Sequence, residues 1–494
     1  MDHKPLPDSG TKFVPPPMER GIFCNRTLNM RSLQAIGYDM DYTLIHYHIH
    51  QWEARAYEYV RLSLANQGWP VQELVFVPQL AIRGLIVDTR LGNVVKANRF
   101  GYIKRVFHGT RPLDFDAQRR TYSRTTIDLN DRRWVVHNTL FSLSRSCIYM
   151  QLVDLLDRQA LPQVLGYQEL YDKVRNTLSQ AHMEGKLKGE IVAAPERFVD
   201  LDPDAPVALL DQKEAGKKIL LITNSDWAYT RAMMDYAFNP FLPEEMTWRD
   251  LFDLVIVSAR KPEFFAGSSP VFEVVTEEGL LQPCPGGICA NGIYVGGNAS
   301  QVEEYLHCHG SDILYVGDHI YGDVHQSKNV RRWRTALILR ELEAEIRELA
   351  EFRPGQAALS QLMHRKDEAE VQLARLKLAL QRAKRASGDR LAAAIAPLEK
   401  DIRRRQQEIA RLDEEITPLA RAAGQLLNPH WGPLMRTGND KSYLARQVER
   451  HADIYSSRVS NFLVQTPYLA FRSHRGSLPH DPVSDPSWDE EESN

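Results

Sequence analysis

Four short aliphatic runs, each stopping at a cluster of carboxylates, hydroxyls or a lysine, constrain this chain more than any other feature. They are 33–44 (LQAIGYDMDYTL), 217–226 (KKILLITNSD), 251–262 (LFDLVIVSARKP) and 312–323 (DILYVGDHIYGD). Runs rich in Leu, Ile and Val, separated by helix-like text, predict a buried parallel sheet and hence an α/β fold. Open sheets of this kind place their ligands at the carboxyl ends of the strands. Asp39, Asp41, Thr223, Asn224, Ser225, Lys261, Asp318 and Asp323 all fall there.

The residue types suit one chemistry. Two carboxylates spaced as Asp39-x-Asp41 can divide the labour, one attacking phosphorus while holding a cation and the other handling protons. Thr223, Asn224 and Ser225 offer hydroxyl and backbone donors to phosphate oxygens. Taken alone, Asn224 or Ser225 is an ordinary helix N-cap. Lys261 can neutralise charge on a transferring phosphoryl group, although a lone lysine after a strand is usually just solvated. Asp318 and Asp323, beside Asp39, would complete the oxygen-rich site that Mg²⁺ prefers. Each piece is ambiguous alone; four strand ends carrying them in this order are not.

The rest of the chain is arranged around these strands. Residues 1 to about 20 read as a flexible arm, because Pro15, Pro16 and Pro17 join neither helix nor ladder. About 170 residues separate the first two strands, far too many for one crossover, so an inserted unit is expected there. Its text is strand-like from 83 to 105 and helical from 139 to 157 and from 166 to 185. After residue 339 apolar positions recur at three- and four-residue steps, from Leu359 to Ala383 and again from Leu391 to Leu419, with a break at 385–389. That pattern predicts two helices folded back as an antiparallel coiled coil, with Pro397 near the start of the second. A further helix is expected from 442 to 464, then a disordered polar tail.

The order DMDYT, TNS, RK and GDxxxxD resembles the haloacid dehalogenase superfamily, and more narrowly the cytosolic purine 5′-nucleotidases that prefer IMP and GMP. The strings RGLIVDTRLGNVVK, NTLF, LLITNSDWAYT, FDLVIVSARKPEFF and QVERHADIY carry the narrower likeness, over about 25–339 and 433–472. The resemblance implies a haloacid-dehalogenase-like Rossmannoid parallel-sheet core at 25–50 and 190–340, with a large inserted cap at 51–189. A flexible arm at 1–24, a coiled-coil hairpin at 341–425, a helical segment at 426–475 and an acidic tail at 476–494 would complete the chain.

The resemblance also implies a Mg²⁺-dependent 5′-nucleotidase with Asp39 as nucleophile and Asp41 as general acid and base. The metal would sit on Asp39, the backbone carbonyl of Asp41 and Asp318, with Asp323 acting through water. Thr223, Asn224, Ser225 and Lys261 would hold the phosphate, and Lys188 would join them from the cap. Phe141 matches the aromatic that stacks on the base, and Arg175 and His182 line the nucleotide pocket. Ser142 replaces an asparagine beside the stacking ring, and Ser179 an aspartate that reads the base edge. Asp128 and Asn329 stand where nucleotide-activated relatives carry basic residues, although Asn138 matches. A covalent intermediate would also allow phosphoryl transfer to a nucleoside.

Composition narrows the class further. Hydrophobic residues make up 43% and charged residues 25%, and the formal charge is −3, so no general pull toward nucleic acid or membrane is expected. Five cysteines without a close pair argue for a reducing cytoplasm. Cys284 and Cys289 with His307, Cys308 and His309 fit no tight zinc spacing. His46, His48 and His50 read as polar strand or loop positions, and 403–405 (RRR) as a solvated helix face. The resemblance implies a homo-oligomer, to which the hairpin could contribute or from which it could reach a protein partner. Two other readings use the same residues: a phosphatase of a sugar phosphate or other small ester, and a coiled-coil assembly factor with retired catalysis. Asp39, Asp41, Lys261 and Asp318 standing together speak against retirement.

Overall fold

In a computed structural model, residues 15–473 are described, apart from 163, 165, 184, 386–388 and 466. The expected tail and the first part of the arm lie outside them. Ten strands build the main sheet, in chain order β1 (Ile22–Cys24), β2 (Ala35–Tyr38), β3 (Lys218–Ile222), β4 (Leu254–Val257), β5 (Val271–Val274), β6 (Leu281–Pro283), β7 (Ile293–Gly296), β8 (Ile313–Gly317), β9 (Arg334–Ile338) and β10 (Ile454–Ser456). Their spatial order is β1-β10-β9-β8-β2-β3-β4-β7-β5-β6. The run from β10 to β7 is parallel, and β1, β5 and β6 are antiparallel additions at the edges. The four strands read from the sequence are β2, β3, β4 and β8, and β2 sits between β8 and β3. Every residue of β2, β4 and β8 is buried, which explains why these strands show no polar alternation.

A second, five-stranded antiparallel sheet lies between β2 and β3 in sequence, in the order Arg111–Pro112, Ile103–His108, Asn93–Ala97, Ile86–Asp88, Trp134–Val136. Helices α1 (Ile49–Asn66), α2 (Leu143–Asp157), α3 (Tyr167–Met183) and α4 (Lys186–Ala193) belong to the same stretch. The helix expected from residue 139 begins at Leu143, after a 3-10 turn at Leu140–Ser142. The long helices α5 (Arg353–Arg385) and α6 (Asp389–Gln425) follow β9. They run antiparallel, as the pairs Lys366–Asp413 at 2.6 Å and Lys384–Glu399 at 3.2 Å show. Leu359, Leu412 and Ile416 are buried between them. Pro397 and Pro418 both lie inside α6.

Two expectations need correction. Residues 442–464 are not one helix: Tyr443–His451 is helical, Ile454–Ser456 is β10 in the main sheet, and a 3-10 turn follows. Asp453 ends the helix by accepting from Lys328, Arg334 Nε at 3.0 Å and the Thr335 amide at 3.0 Å, which commits the next residues to the sheet between β1 and β9. The arm is also shorter than 1–24, because Ile22–Cys24 pairs with β10.

Candidate active site

Five chain segments meet where β2, β3, β4 and β8 end. Beyond β2 the backbone folds tightly around one carbonyl: Met40 O accepts from the amides of Thr43, Leu44 and Ile45 at 3.2, 3.0 and 3.0 Å. Tyr42 takes φ 55° within that turn, a conformation that costs a non-glycine residue about 1–3 kcal/mol. The turn holds Asp39 and Asp41 at the mouth of the sheet.

Lys261 is the hub. Its Nζ lies 2.7 Å from Asp39 Oδ1 and 2.8 Å from Asp323 Oδ1, and it donates to the Tyr315 hydroxyl at 2.9 Å. Its backbone is clamped by Asn224, whose Oδ1 accepts from Lys261 N at 2.6 Å and whose Nδ2 donates to Lys261 O at 3.1 Å. Burial works against the ammonium, but Asp323 and Asp39 overrule it and raise its affinity for the proton well above the ordinary lysine range.

Two glycines make this approach possible. A Cβ on Gly37 would come within 2.9 Å of the Tyr315 ring, which lies across β2 to reach Lys261. A Cβ on Gly317 would meet Asp323 Oδ2 at 2.5 Å, so glycine lets Asp323 fold back over the end of β8. A turn of π-helix, Ile320–His325, brings Asp323 round to face its own strand.

Asp39, Asp318 and Asp323 are buried together, each offering an oxygen within 4.8 Å of the others. Burial raises the Asp39 carboxyl to about 7, with Lys261 pulling it down and Asp323 and Asp41 pushing it up. Asp318 is likewise raised well above the carboxylate range, first by burial, against the pull of Arg83. An all-oxygen donor set carrying this much mutual repulsion fits a hard divalent cation.

Beside this cluster lies a second group. Ser225 Oγ donates to Asp41 Oδ2 at 2.6 Å, and Lys188 Nζ, from α4, donates to Ser225 Oγ at 3.0 Å. The Thr223 hydroxyl accepts from Ser225 N at 3.1 Å. Asp39, Asp41, Thr223, Asn224, Ser225, Lys188, Lys261, Asp318 and Asp323 therefore form one connected site. A carboxylate able to attack, a second able to move a proton, two ammonium groups and a hydroxyl are the parts that phosphoryl transfer uses.

The base-reading candidates are less closely gathered. Phe141 lies edge-on to Tyr42 at 4.6 Å and to Trp52 at 5.4 Å, so it packs on the Asp39 loop. Thr139, two residues earlier, donates to Asp318 Oδ2 at 3.3 Å. Ser142 is buried and accepts from Arg145 at 3.0 Å. Arg175 and Ser179 sit one turn apart on the exposed side of α3, with Arg175 paired to Asp172 at 2.9 Å. His182 is in the same helix, and its side chain lies outside the described residues.

Sequence reasoning missed Tyr47, Tyr229, Tyr315 and Arg83. The phenol of Tyr47 donates to Asp41 Oδ1 at 2.5 Å. Arg83 donates to the Asp318 carbonyl at 3.2 Å and lies 2.9 Å from Glu341. Arg83 opens the quoted string RGLIVDT, but no spacing in the text links it to residue 318. Cys284 Sγ donates to Gly287 O at 2.7 Å, no cysteine is in a disulfide, and among the described residues the acid group gathered closely enough to hold an ion is Asp39, Asp318 and Asp323. Burial lowers His46 to about 4, which suits a neutral imidazole packed inside the protein.

Among the described residues no helix is long and apolar enough to cross a membrane. The chain is similar to a 5′-nucleotidase domain-containing protein of Dictyostelium discoideum, 25% identical over 490 residues that span 95% of this chain and 76% of the relative. The 5′ nucleotidase family profile matches residues 22–483, a span that takes in every strand end described above. The chain belongs to the 5′ nucleotidase family of phosphoric monoester hydrolases.

Proposed function

We propose that the chain is a Mg²⁺-dependent nucleoside 5′-monophosphate phosphohydrolase that works through an aspartyl-phosphate on Asp39. One observation carries the reading: three buried carboxylates converge beside Lys261, with Asp41 held next to Ser225 and Lys188. Asp39, Asp318 and the Asp41 carbonyl, with Asp323 acting through water, would hold a Mg²⁺, which would supply positive charge between the substrate phosphate and the carboxylates. Lys261, Lys188, Ser225, Thr223 and Asn224 bind and orient the phosphate. Asp39 attacks phosphorus as the bond to the 5′-oxygen breaks, and the Asp41 carboxyl gives its proton to that oxygen. Water then attacks phosphorus and gives a proton to Asp41 while the Asp39 carboxylate leaves. A nucleoside hydroxyl replacing water gives phosphoryl transfer.

Phe141 stacks on the base, and Arg175 favours a 6-oxo purine because a guanidinium only donates. Ser142, Ser179 and His182 complete the pocket, so IMP and GMP are the favoured substrates. The sheet with Asp39 forms a haloacid-dehalogenase-like core, residues 51–189 a cap, and α5 with α6 a coiled-coil hairpin for assembly or a protein partner, in a cytoplasmic homo-oligomer. Phosphate release from nucleoside monophosphates and sugar phosphates, with Mg²⁺ and with chelator, tests the reading. Release from purine monophosphates that disappears in chelator is expected. Full activity in chelator, or equal rates on sugar phosphates, overturns it.

A further inference from the structure

Asp41 is held at both carboxyl oxygens, and only one of its partners belongs to the phosphate group. Ser225 occupies Oδ2 at 2.6 Å and is itself reached by Lys188 at 3.0 Å. When a phosphate takes up Ser225 and Lys188, that anchor has a competing duty. Tyr47 has none: its phenol donates to Asp41 Oδ1 at 2.5 Å and lies 3.1 Å from the Tyr229 hydroxyl. Lys188 Nζ lies 4.5 Å from the centre of the Tyr229 ring, which closes a loop of five side chains: Asp41, Tyr47, Tyr229, Lys188 and Ser225. Tyr47 is buried and fixed by rings on two sides, Trp52 at 4.5 Å and Tyr42 at 5.2 Å. It comes from a two-residue strand, His46–Tyr47, paired with Val199–Asp200. Its position is thus set by the framework rather than by the ligand.

We propose that Tyr47 is a positioning residue for the reaction, holding Asp41 in the orientation from which its proton reaches the leaving 5′-oxygen. The inference rests on Asp41 being the general acid. In that step the bond between Asp39 and phosphorus forms, the bond to the 5′-oxygen breaks, and the proton moves from Asp41 to that oxygen; the Tyr47 proton stays in place. A displacement of about 1 Å in such a group costs on the order of 100-fold.

The test is Tyr47→Phe, which keeps the ring and its packing. The leaving group of inosine 5′-monophosphate is the 5′-alkoxide of inosine, which needs the proton, whereas that of p-nitrophenyl phosphate is a phenolate that does not. The kcat/KM of Tyr47→Phe is expected to fall about 10- to 100-fold on the nucleotide and less than about threefold on the aryl ester. Equal losses on both, or none on either, overturn the proposal. Asp41→Asn, run alongside, separates the two failures. If Asp41→Asn shows the split and Tyr47→Phe does not, the positioning role is wrong; if Asp41→Asn shows no split, the acid assignment itself is wrong. Should Tyr47→Phe fail to fold, Tyr229→Phe removes the hydroxyl behind it and is expected to give a smaller split, whose absence counts against the proposal equally.

Discussion

Replacing Lys261 with methionine removes the cation that the structure places between Asp39 and Asp323. The ammonium touches both carboxylates within 2.8 Å, and the side chains of Lys261, Asp39 and Asp323 are only 3%, 12% and 2% exposed. Water cannot take over from the lost partner, and Asp318 adds a third buried carboxylate to the same cluster. Breaking a buried pair on one side costs about 3–5 kcal/mol. That figure is the expected loss of unfolding free energy in chelator. Mg²⁺ is expected to restore more stability to Lys261→Met than it adds to the natural protein, about 3 kcal/mol at a hundredfold excess over Kd. Urea unfolding followed by tryptophan fluorescence reads both, since Trp333 lies 6.0 Å from the Tyr315 ring that carries the Lys261 contact. Turnover is expected to fall at least about 100-fold even with Mg²⁺. A stability loss under about 1 kcal/mol in chelator refutes the view that Lys261 holds Asp39 and Asp323 together.

Glu343 offers a pH test away from the site. Burial acts to raise its carboxyl, but Arg458 Nε at 2.5 Å and Arg340 hold it at about 2 against an ordinary 4.5. The folded value lies below the unfolded one, so this stability is present above pH of about 4.5 and is lost as pH falls toward about 2. On the order of 2–3 kcal/mol is involved, and Glu343→Gln should flatten that part of the stability–pH curve. In the base pocket, Phe141→Ala is expected to raise KM for purine monophosphates about 3- to 10-fold, and Ser179→Asp to widen the preference for IMP and GMP over AMP. Equal kinetics on purine and pyrimidine monophosphates would contradict that pocket. Replacing residues 357–420 with a short Gly/Ser linker should leave nucleotide hydrolysis per active site nearly unchanged while altering mass in solution or partner capture. Lost chemistry in a folded deletion would reassign α5 and α6.

The strand ends were legible because a fully buried parallel strand can only be written as an aliphatic run, and the polar residues that follow it have few other reasons to cluster. The edges were not. β1 and β10 are three residues each, and Ile454–Ser456 follows an amphipathic helix closely enough that Leu444, Val448, Ala452 and Tyr455 keep its three- and four-residue steps. What stops the helix is Asp453 reaching Lys328 and Arg334, more than a hundred positions away. Tyr47 and Arg83 were hidden for the same reason. Tyr47 lies six residues from Asp41, close enough to suspect, but its role depends on Tyr229. Arg83, inside the inserted stretch, acts on Asp318, 235 positions further on. Local text records a residue's type and spacing, and these partners are set by the fold.

The most direct test of the account is chemical capture of the phosphoryl group. The enzyme is mixed with a purine nucleoside monophosphate and Mg²⁺, quenched in acid during turnover, and treated with borohydride, which reduces an aspartyl-phosphate to homoserine. Peptide mass spectrometry should then place the change at Asp39 alone, and Asp39→Asn should show neither the change nor turnover. Steady turnover with Asp39 unmodified, or reduction at Asp41, Asp318 or Asp323 instead, would contradict Asp39 as the nucleophile.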